Sequence, residues 1–369
     1  MQEVTEGKVT VKVPVQKVVS KDLPVFFNPK MELNRSLSIA VLATWEKDAL
    51  QIALPLAGSG VRGVRMLKEL AETKIKLLDM NDHSDEAFAA MQENSKRNTA
   101  DSRLSLSQKE ATTFLENSQG YDYIDIDPFG SPNPLLDVAC RRLARGGLLA
   151  VTATDTGALA GSFIDAGRMK YWAENKNTLQ KHELGLRILA RKVMLVAMQH
   201  AKALTPILSY HHEHYYRIFF RCEKGKQKAA ALYPQTTATH FVCENCGNQG
   251  AFQSLCPYCQ YPQQPLGPLY SGQLQDEHFC SRLVEEFPDF QDLLQPLLQD
   301  DALKQTGFFD THELCKHSKL PLCKISELVS RLEAKGFVAT QSGFERTGCK
   351  TNAKIKDILN CLQQKPETQ

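Results

Sequence analysis

Three glycines and two carboxylates have the spacing of a nucleotide-binding site. Gly58, Gly60 and Gly63 form the pattern G-x-G-x-x-G directly after an apolar run that predicts a β-strand. Glycine at these positions lets the chain turn sharply and lets a ligand approach the backbone. Asp79 and Asp82 follow about 20 positions later, where a carboxylate can accept hydrogen bonds from both hydroxyls of a ribose. The pattern therefore predicts a site for either a nicotinamide dinucleotide or S-adenosylmethionine.

A second group of residues, Asp125-Ile126-Asp127-Pro128-Phe129-Gly130-Ser131-Pro132, contains an Asp-Pro-aromatic triplet typical of a loop that modifies the amino group of a base. It lies at the carboxyl end of a predicted strand, where ligands bind in open α/β sheets. An exocyclic amine is a poor nucleophile because its lone pair is delocalised into the ring. A carboxylate such as Asp127 can accept a hydrogen bond from that amine and take up the developing charge. Phe129 offers a flat face for a base that has left its stack. This loop favours an amino methyltransferase over a dehydrogenase.

Four of the eleven cysteines form two C-x-x-C pairs with the spacing of a zinc ribbon. They are Cys243, Cys246, Cys256 and Cys259. Four thiolates complete a tetrahedral site and leave no open position for substrate, so we expect a structural Zn²⁺ that folds this segment.

A mostly parallel sheet is needed to bring these residues together. The stretch from Leu50 to about Tyr233 alternates apolar strands with helical patterns, which predicts an α/β sheet covered by helices on both faces. The predicted strands are 52–56, 75–78, 121–126, 148–154, 207–210 and 215–221. A long helix is predicted over 184–203, and Ser84 is predicted to cap the helix after the second strand. Alternating valines at positions 9, 11, 13 and 15 predict an N-terminal β extension.

The composition changes near residue 234, which predicts a boundary between two domains. Residues 1–233 would hold the catalytic sheet with its β extension. Residues 234–369 would form a smaller α+β domain that binds nucleic acid, with a four-cysteine zinc ribbon at 243–259. The acidic stretch 273–301 follows the ribbon. Residues 311–350 show a pattern of helix, turn, helix, strand and turn. This pattern predicts a winged-helix-like unit.

The overall composition is that of an ordinary globular protein, with 42% hydrophobic and 23% charged residues. This excludes a disordered chain and a coiled-coil rod. Apolar runs are far shorter than the roughly 20 residues that a bilayer span needs, and the first residues lack a signal-peptide core. We therefore expect a soluble, cytoplasmic protein with no membrane association.

The net charge of +2 hides an uneven distribution. Residues 141–228 contain 16 lysines and arginines against 6 acidic residues, a pattern that suits a phosphate backbone. Within this stretch, cations lie beside aromatics at 170–172 and in the His-rich segment 211–217. Taken singly, each of these charges is more typical of a solvated face. Near the C-terminus, the basic residues Arg346, Lys350, Lys354 and Lys356 favour contact with a nucleic acid.

Motifs over nearly the whole chain resemble those of the tRNA guanine-N2 dimethyltransferases. The matching segments are 25–29, Met31, 34–35, 60–65, 81–82, 125–132, 152–155, 267–269, 347–348 and 350–351. The resemblance implies a class I S-adenosylmethionine-dependent methyltransferase fold with a Rossmann-like sheet. It also implies methylation of the exocyclic N2 amine of guanine at position 26 of tRNA, to N2-methyl- and N2,N2-dimethylguanine. Tight turns of the cofactor site would come from Gly58 and Gly60.

The resemblance also implies roles for individual residues. S-adenosylmethionine would be contacted by a set of matching positions: Arg35, Arg62, Asp82, Glu110 and Ala111. Asp127 would be the catalytic acid, and Phe26 and Phe129 would hold the flipped guanine. The choice of Phe26 over Phe27 depends on the resemblance alone. No protein partner is implied.

Three other functions fit parts of the sequence. A methyltransferase acting on DNA or on another RNA base would use the same chemistry. An NAD-dependent dehydrogenase with a zinc ribbon would use the glycine turn but leaves the loop at Asp127 unexplained. A non-catalytic RNA-binding module would leave the cofactor turn unexplained.

Overall fold

A seven-stranded sheet forms the centre of the molecule in a computed structural model that describes residues 1–14, 25, 27–251 and 254–363. Its strands are β3 (Leu50–Leu54), β4 (Ile75–Asn81), β5 (Leu104–Ser107), β6 (Tyr121–Ile126), β7 (Leu143–Ala153), β8 (Lys202–His212) and β9 (Tyr215–Lys224). They are ordered β5-β4-β3-β6-β7-β9-β8. Strand β9 runs in the direction opposite to the other six, which are parallel to one another. The predicted mostly parallel sheet is confirmed, and six of its strands lie where the sequence predicted strands.

Helices cover both faces of this sheet, as its apolar strands require. They are α1 (Glu32–Thr44), α2 (Val61–Glu69), α3 (Asp85–Asn98), α4 (Ala111–Glu116), α5 (Asn133–Arg142), α6 (Thr156–Leu159), α7 (Ile164–Tyr171), α8 (Lys181–Gln199) and α9 (Lys226–Leu232). Ser84 caps α3 by accepting a hydrogen bond from the amide of Ala87, as predicted. The long helix is displaced from its predicted range because Ala201 has a positive φ, which ends the helix before β8.

An antiparallel hairpin, β1 (Gln2–Glu6) and β2 (Val9–Val13), precedes the sheet. The alternating valines at 9, 11 and 13 are buried, which confirms the predicted β extension, while Val15 lies outside the described residues. Asn94 and Asn98 of α3 hydrogen-bond the backbone of β2, so the hairpin is fixed against the sheet domain.

Among the residues described after position 233, the C-terminal part has two small three-stranded sheets and five α-helices. The strands are β10 (Ala238–Val242), β11 (Gln249–Gly250), β12 (Leu266–Leu269), β13 (Phe309–Asp310), β14 (Ala339–Gln341) and β15 (Gly348–Thr351). The helices are α10 (Glu277–Glu286), α11 (Gln291–Ala302), α12 (Thr311–Ser318), α13 (Ile325–Glu333) and α14 (Ile355–Leu362). The order α12, α13, β14, β15 agrees with the predicted winged-helix-like pattern.

The acidic helix α10 buries its apolar face against the central sheet domain. Phe279, Cys280 and Leu283 belong to the same apolar cluster as α1 and β8. A separate cluster joins the four paired cysteines to the winged-helix-like unit. The division of the chain at 233/234 stays a prediction, and part of the segment after it shares the core of the first domain.

Lys350 lies in the interior and not on the surface that the sequence analysis expected. Its ammonium group contacts Glu183 at 3.1 Å and Asp300 at 2.5 Å, and Arg187 pairs with Glu183 at 2.9 Å. All four side chains are at most 2% exposed. The expected RNA contact of Lys350 is therefore wrong, because its charge is used to join β15 and α11 to α8.

Among the described residues, no helix has the length and apolar character to cross a membrane.

Candidate active site

The glycine turn lies between β3 and α2, as its motif predicts. Gly58 has φ +54° and Gly60 has φ +79°, a conformation that residues with a Cβ rarely adopt. Gly63 lies inside α2, where a Cβ would collide with the thioether of Met80. Two glycines therefore shape the turn, and the third lets the helix pack closely on the sheet.

Asp82 is fixed beside this turn. The backbone amide of Gly58 donates a hydrogen bond of 2.9 Å to Asp82 Oδ2, and the amide of Ser84 donates one of 3.2 Å to Oδ1. The carboxylate is 13% exposed, so part of it still faces outward. A carboxylate at the end of the second strand, next to glycine backbone without side chains, can accept hydrogen bonds from the ribose hydroxyls of S-adenosylmethionine.

Asn81 connects the turn to the segment that carries Glu110 and Ala111. Its side-chain amide donates to Pro55 O at 3.1 Å and to Lys109 O at 2.8 Å, while its oxygen accepts from Lys109 N at 3.0 Å. Glu110 directly precedes α4 and is exposed, and Ala111, the first residue of the helix, is buried. A single buried amide thus aligns the two edges between which an adenine could lie.

Asp127 and Arg62, predicted as catalytic acid and cofactor contact, are in direct contact. Arg62 Nη2 forms a short ion pair with Asp127 Oδ2. Its other terminal nitrogen donates to Asn34 Oδ1 at 2.9 Å and to Ser38 Oγ at 2.8 Å. Because Arg62 is in the first turn of α2, this pair links the glycine turn to the end of β6.

Behind this pair lies a buried carboxylate, Asp125, that the sequence analysis did not single out as a functional residue. Arg217 binds it with two nitrogens, at 2.7 and 2.8 Å, and Tyr123 donates to it at 2.6 Å. Arg62 Nη1 lies 3.3 Å from Asp125 Oδ2. Burial alone would raise the pKa of Asp125, but the guanidinium groups of Arg217 and Arg62 lower it to about 2. Asp125 therefore stays charged and holds both arginines.

Arg217 was grouped with the RNA-facing aromatics in the sequence analysis, and this placement is wrong. Its side chain is fully buried, and it also donates to Thr152 Oγ1 at 2.8 Å and to Ser38 Oγ at 2.9 Å. A single arginine inside an apolar strand, Tyr-Tyr-Arg-Ile-Phe-Phe, was a signal for a buried ion pair because burying an unpaired charge is too costly.

The loop after Asp127 is tied to the next strand and to α7. Gly130 N donates to Thr154 Oγ1 at 2.6 Å, and Thr154 N donates back to Gly130 O at 2.9 Å. Tyr171 donates to Asp155 Oδ1 at 2.6 Å and lies 3.1 Å from Ser131 Oγ. Phe129 is held on this loop with half of its surface exposed. The loop thus presents an aromatic face from a fixed backbone.

The N-terminal aromatic pair is described only in part. Phe26 lies outside the described residues, so its expected role stays a prediction. Phe27 is buried, with the guanidinium of Arg35 5.2 Å from its ring centre. Arg35 also forms a two-pronged pair with Glu6, at 2.7 and 2.5 Å. Its role as a cofactor contact remains a prediction.

The His-rich turn between β8 and β9 lies at the same edge of the sheet. His211 stacks on His182 with ring centres 3.7 Å apart, and His182 Nδ1 lies 3.1 Å from the hydroxyl of Tyr216. Burial lowers the pKa of both histidines to about 4. Both rings are therefore neutral near pH 7, and they form part of an aromatic wall at this edge.

The four paired cysteines come together as their spacing predicts. Their sulfur atoms all lie within 4.8 Å of one another, with Cys243 Sγ 3.5 Å from Cys259 Sγ and Cys246 Sγ 3.7 Å from Cys256 Sγ. A tetrahedral Zn²⁺ with bonds of about 2.3 Å separates its sulfur ligands by about 3.8 Å. The donor set and its spacing therefore fit a structural zinc.

Comparison with known proteins identifies the family. The model of a family described as "TRM: N2,N2-dimethylguanosine tRNA methyltransferase" matches residues 7–363. A protein of Aquifex aeolicus, named tRNA (guanine(26)-N(2)/guanine(27)-N(2))-dimethyltransferase, is 33% identical over 384 aligned residues, covering 99% of this chain and 96% of that protein. A tRNA (guanine(26)-N(2))-dimethyltransferase of Methanobrevibacter smithii is 35% identical, covering 98% of each.

The fold agrees with the same family. The structure of Trm1 from Pyrococcus horikoshii in complex with S-adenosyl-L-methionine matches with a TM-score of 0.86 and 28% sequence identity, over 99% of this chain and all of that one. This supports a class I methyltransferase fold and removes the dehydrogenase alternative. The family match over residues 7–363 and the full-length relatives show that this chain belongs to the N2,N2-dimethylguanosine tRNA methyltransferase family.

Proposed function

We propose that this chain transfers methyl groups from S-adenosylmethionine to the exocyclic N2 amine of guanine at position 26 of tRNA. The products would be N2-methylguanine and N2,N2-dimethylguanine. The observation that carries the proposal is the position of Asp127, at the carboxyl end of β6 and paired with Arg62, which lies within the glycine motif in the first turn of α2. The names of the full-length relatives agree with this substrate.

Asp127 would act on the amine of the target base. Its carboxylate is 17% exposed, so one side remains available to a substrate while Arg62 holds the other. An N2 amine that donates a hydrogen bond to this carboxylate is oriented for attack, and the carboxylate stabilises the positive charge that develops on nitrogen. Asp127 can then take the proton that the methylated nitrogen must lose. When bound, S-adenosylmethionine supplies an electrophilic methyl group on a sulfonium.

Two aromatic residues would hold the base in place. Phe129 presents an exposed face from a loop fixed by Thr154. Phe26 would be the second aromatic residue that holds the base, as the resemblance to the family implies. A base extruded from its stack loses the contacts of its neighbours, and aromatic faces in the site replace them.

The cofactor would be held around the glycine turn by residues with separate tasks. Asp82 would accept hydrogen bonds from the ribose hydroxyls, and the edge formed by Glu110 and Ala111 would contact the adenine. The bare backbone at Gly58 and Gly60 would allow close approach of the ligand. Arg62 and Arg35 would also contact S-adenosylmethionine, as the resemblance to the family implies. These assignments are supported by the contacts of Asp82 and Arg62.

The segment 234–369 is proposed as a tRNA-binding domain with a structural zinc on Cys243, Cys246, Cys256 and Cys259. Three of its basic residues, Arg346, Lys354 and Lys356, are exposed and offer charge for phosphate contacts. Lys350 is excluded from this surface by its burial.

Methyl transfer to defined tRNA transcripts tests the proposal. Radiolabelled S-adenosylmethionine is supplied with a transcript that has guanine at position 26 and with one that has adenine there. We expect label only in the guanine transcript, with N2-methylguanine and N2,N2-dimethylguanine as the labelled nucleosides. Asp127→Asn should abolish the label while cofactor binding persists. Label in both transcripts, or in DNA and not in tRNA, would overturn the assignment of the substrate.

A further inference from the structure

An unusual concentration of exposed apolar side chains surrounds α7. Of the thirteen large apolar side chains that are exposed in the described residues, four lie between positions 163 and 172. They are Phe163, Ile164, Met169 and Trp172, and a fifth, Phe129, is on the catalytic loop. Phe163 and Met169 are 68% and 73% exposed. Apolar side chains that are grouped in this way on a surface typically mark an interaction site.

This surface is attached directly to the catalytic loop. Tyr171, on the buried side of α7, bonds Asp155 and lies within hydrogen-bond distance of Ser131. The side-chain amide of Asn133 donates to Lys170 O at 2.7 Å. The Lys170 ammonium lies 3.2 Å from Asp155 Oδ2. A ligand on α7 would therefore lie next to whatever base is held by the catalytic loop.

The two aromatic residues at the ends of α7 are held in place and remain exposed. The ring of Phe163 covers Gly157, where a Cβ would come within 2.5 Å of ring atom Cδ2. The ammonium of Lys192 lies 3.0 Å from the centre of the Trp172 ring, on one face of it. Trp172 nevertheless remains 49% exposed. Phe163 and Trp172 are nine positions apart, a rise of about 13.5 Å along a helix, which leaves room for more than one stacked base.

The charge around these rings favours a polyanion. Residues 155–192 contain seven lysines and arginines and four acidic residues. Removing the buried pair of Arg187 and Glu183 leaves six cations against three anions. Exposed aromatics among excess cations are the combination that binds unstacked nucleic acid, because bases stack on the rings and phosphates contact the cations.

We propose that the surface formed by Phe163, Met169, Trp172 and Lys170 binds the unstacked nucleotides that flank the target guanine of the RNA substrate. This inference rests on the proposed function, since it assumes that the substrate is RNA with an extruded base. When the target guanine leaves the stack, the flanking bases lose their stacking contact with it. Stacking of these flanking bases on Phe163 and Trp172 would replace that contact. The surface would thus stabilise the RNA with its target guanine extruded through the first and the second methyl transfer.

Fluorescence of Trp172 tests the contact without any need for activity. The chain has two tryptophans, so Trp45→Phe leaves Trp172 as the only one. We expect titration with tRNA to quench the emission of this variant saturably. Unchanged emission at RNA concentrations where filter binding shows a complex would overturn the inference. The proposed function would stand in that case if the same protein methylates the tRNA.

Kinetics of matched variants provide the second measurement. Trp172→Ala should raise the KM for tRNA by about 5- to 100-fold, the effect of losing one stacked base, while the KM for S-adenosylmethionine stays unchanged. Trp172→Phe should restore most of the loss because it keeps a stacking face. Lys170→Ala should weaken tRNA binding and reduce its salt dependence, while Lys76→Ala, exposed near the start of β4, should do neither.

Two results for Trp172→Ala, one kinetic and one from sedimentation, would contradict the inference. An unchanged KM for tRNA in Trp172→Ala would show that the ring does not contact the RNA. A change of oligomeric state in Trp172→Ala, seen by sedimentation without RNA, would assign the surface to a second copy of the chain. If the unaltered protein methylates no tRNA, the proposed function fails. The fluorescence titration still shows in that case whether Trp172 contacts RNA.

Discussion

Replacement of Asp125 by asparagine should have a large effect, because this carboxylate is the centre of the buried network behind the active site. Asp125 and Arg217 are at most 1% exposed, and Arg62 is 10% exposed. The substitution keeps the size of the side chain and removes its charge. Arg217 and Arg62 then remain as buried cations without their shared anion. Removing one partner of a buried ion pair typically costs about 3–5 kcal/mol of stability, so we expect a loss in that range.

Chemical denaturation of Asp125→Asn, followed by intrinsic fluorescence, measures this loss. Asp137→Asn is the matched control, because it makes the same change in an exposed pair with His200 and Arg141. Exposed ion pairs contribute less than about 1 kcal/mol, so the control should denature near the midpoint of the unaltered protein. Under conditions where Asp125→Asn remains folded, its kcat should fall by about 100-fold, because Asp125 no longer holds Arg62, the residue that positions Asp127.

The double variant Asp125→Asn/Arg217→Met provides an internal check. Because the two residues interact, their combined cost should be smaller than the sum of the separate costs by about 0.5–3 kcal/mol. If Asp125→Asn is as stable as Asp137→Asn, or if the costs add, the buried network does not stabilise the site and this reasoning is refuted.

Three further predictions concern other parts of the molecule. Lys350→Met should lower the free energy of unfolding by about 3–5 kcal/mol because Glu183 and Asp300 lose their shared cation; a normal melting temperature with selectively weaker tRNA binding would contradict this. Native mass spectrometry should find one zinc per chain, and Cys246→Ser should lose it and unfold the ribbon, whereas a metal-free protein that keeps its fold and activity would refute the zinc site. The free energy of unfolding should fall as the pH drops from about 6.5 toward 4. Burial lowers the pKa of His182, His211 and His240 to about 4, so the unfolded chain binds more protons in this range. His240→Gln should make that decrease shallower, and an unchanged slope would contradict the burial of a neutral ring.

The sequence predicted the parts of the site that follow from local pattern. The glycine turn, the strand before Asp127 and the cysteine pairs are short segments with their own signals, and the structure confirms their geometry. The seven-stranded sheet was also predictable because alternating strands and helices permit few arrangements. The bounds of strand β5 were not predicted, because its alternation of leucine and serine spans only four residues, Leu104–Ser107.

Contacts between distant segments were not predictable in the same way. The pairing of Lys350 with Glu183 joins residues that are 167 positions apart, and no local pattern distinguishes a buried lysine from a basic surface residue. Arg217 is 92 positions from Asp125, and its apolar neighbours were a signal that the sequence analysis assigned to RNA binding. A lone cation in an apolar strand is better interpreted as one half of a buried ion pair.

The measurement that tests the central claim most directly replaces guanine 26 of the tRNA with inosine. Inosine differs from guanosine in the absence of the exocyclic N2 amine, so the shape of the base and of the tRNA is otherwise retained. The proposed role of Asp127 predicts that the inosine transcript accepts no methyl group and inhibits methylation of the guanine transcript competitively. Methyl transfer to the inosine transcript at a rate similar to that of the guanine transcript would show that the reaction does not take place at N2.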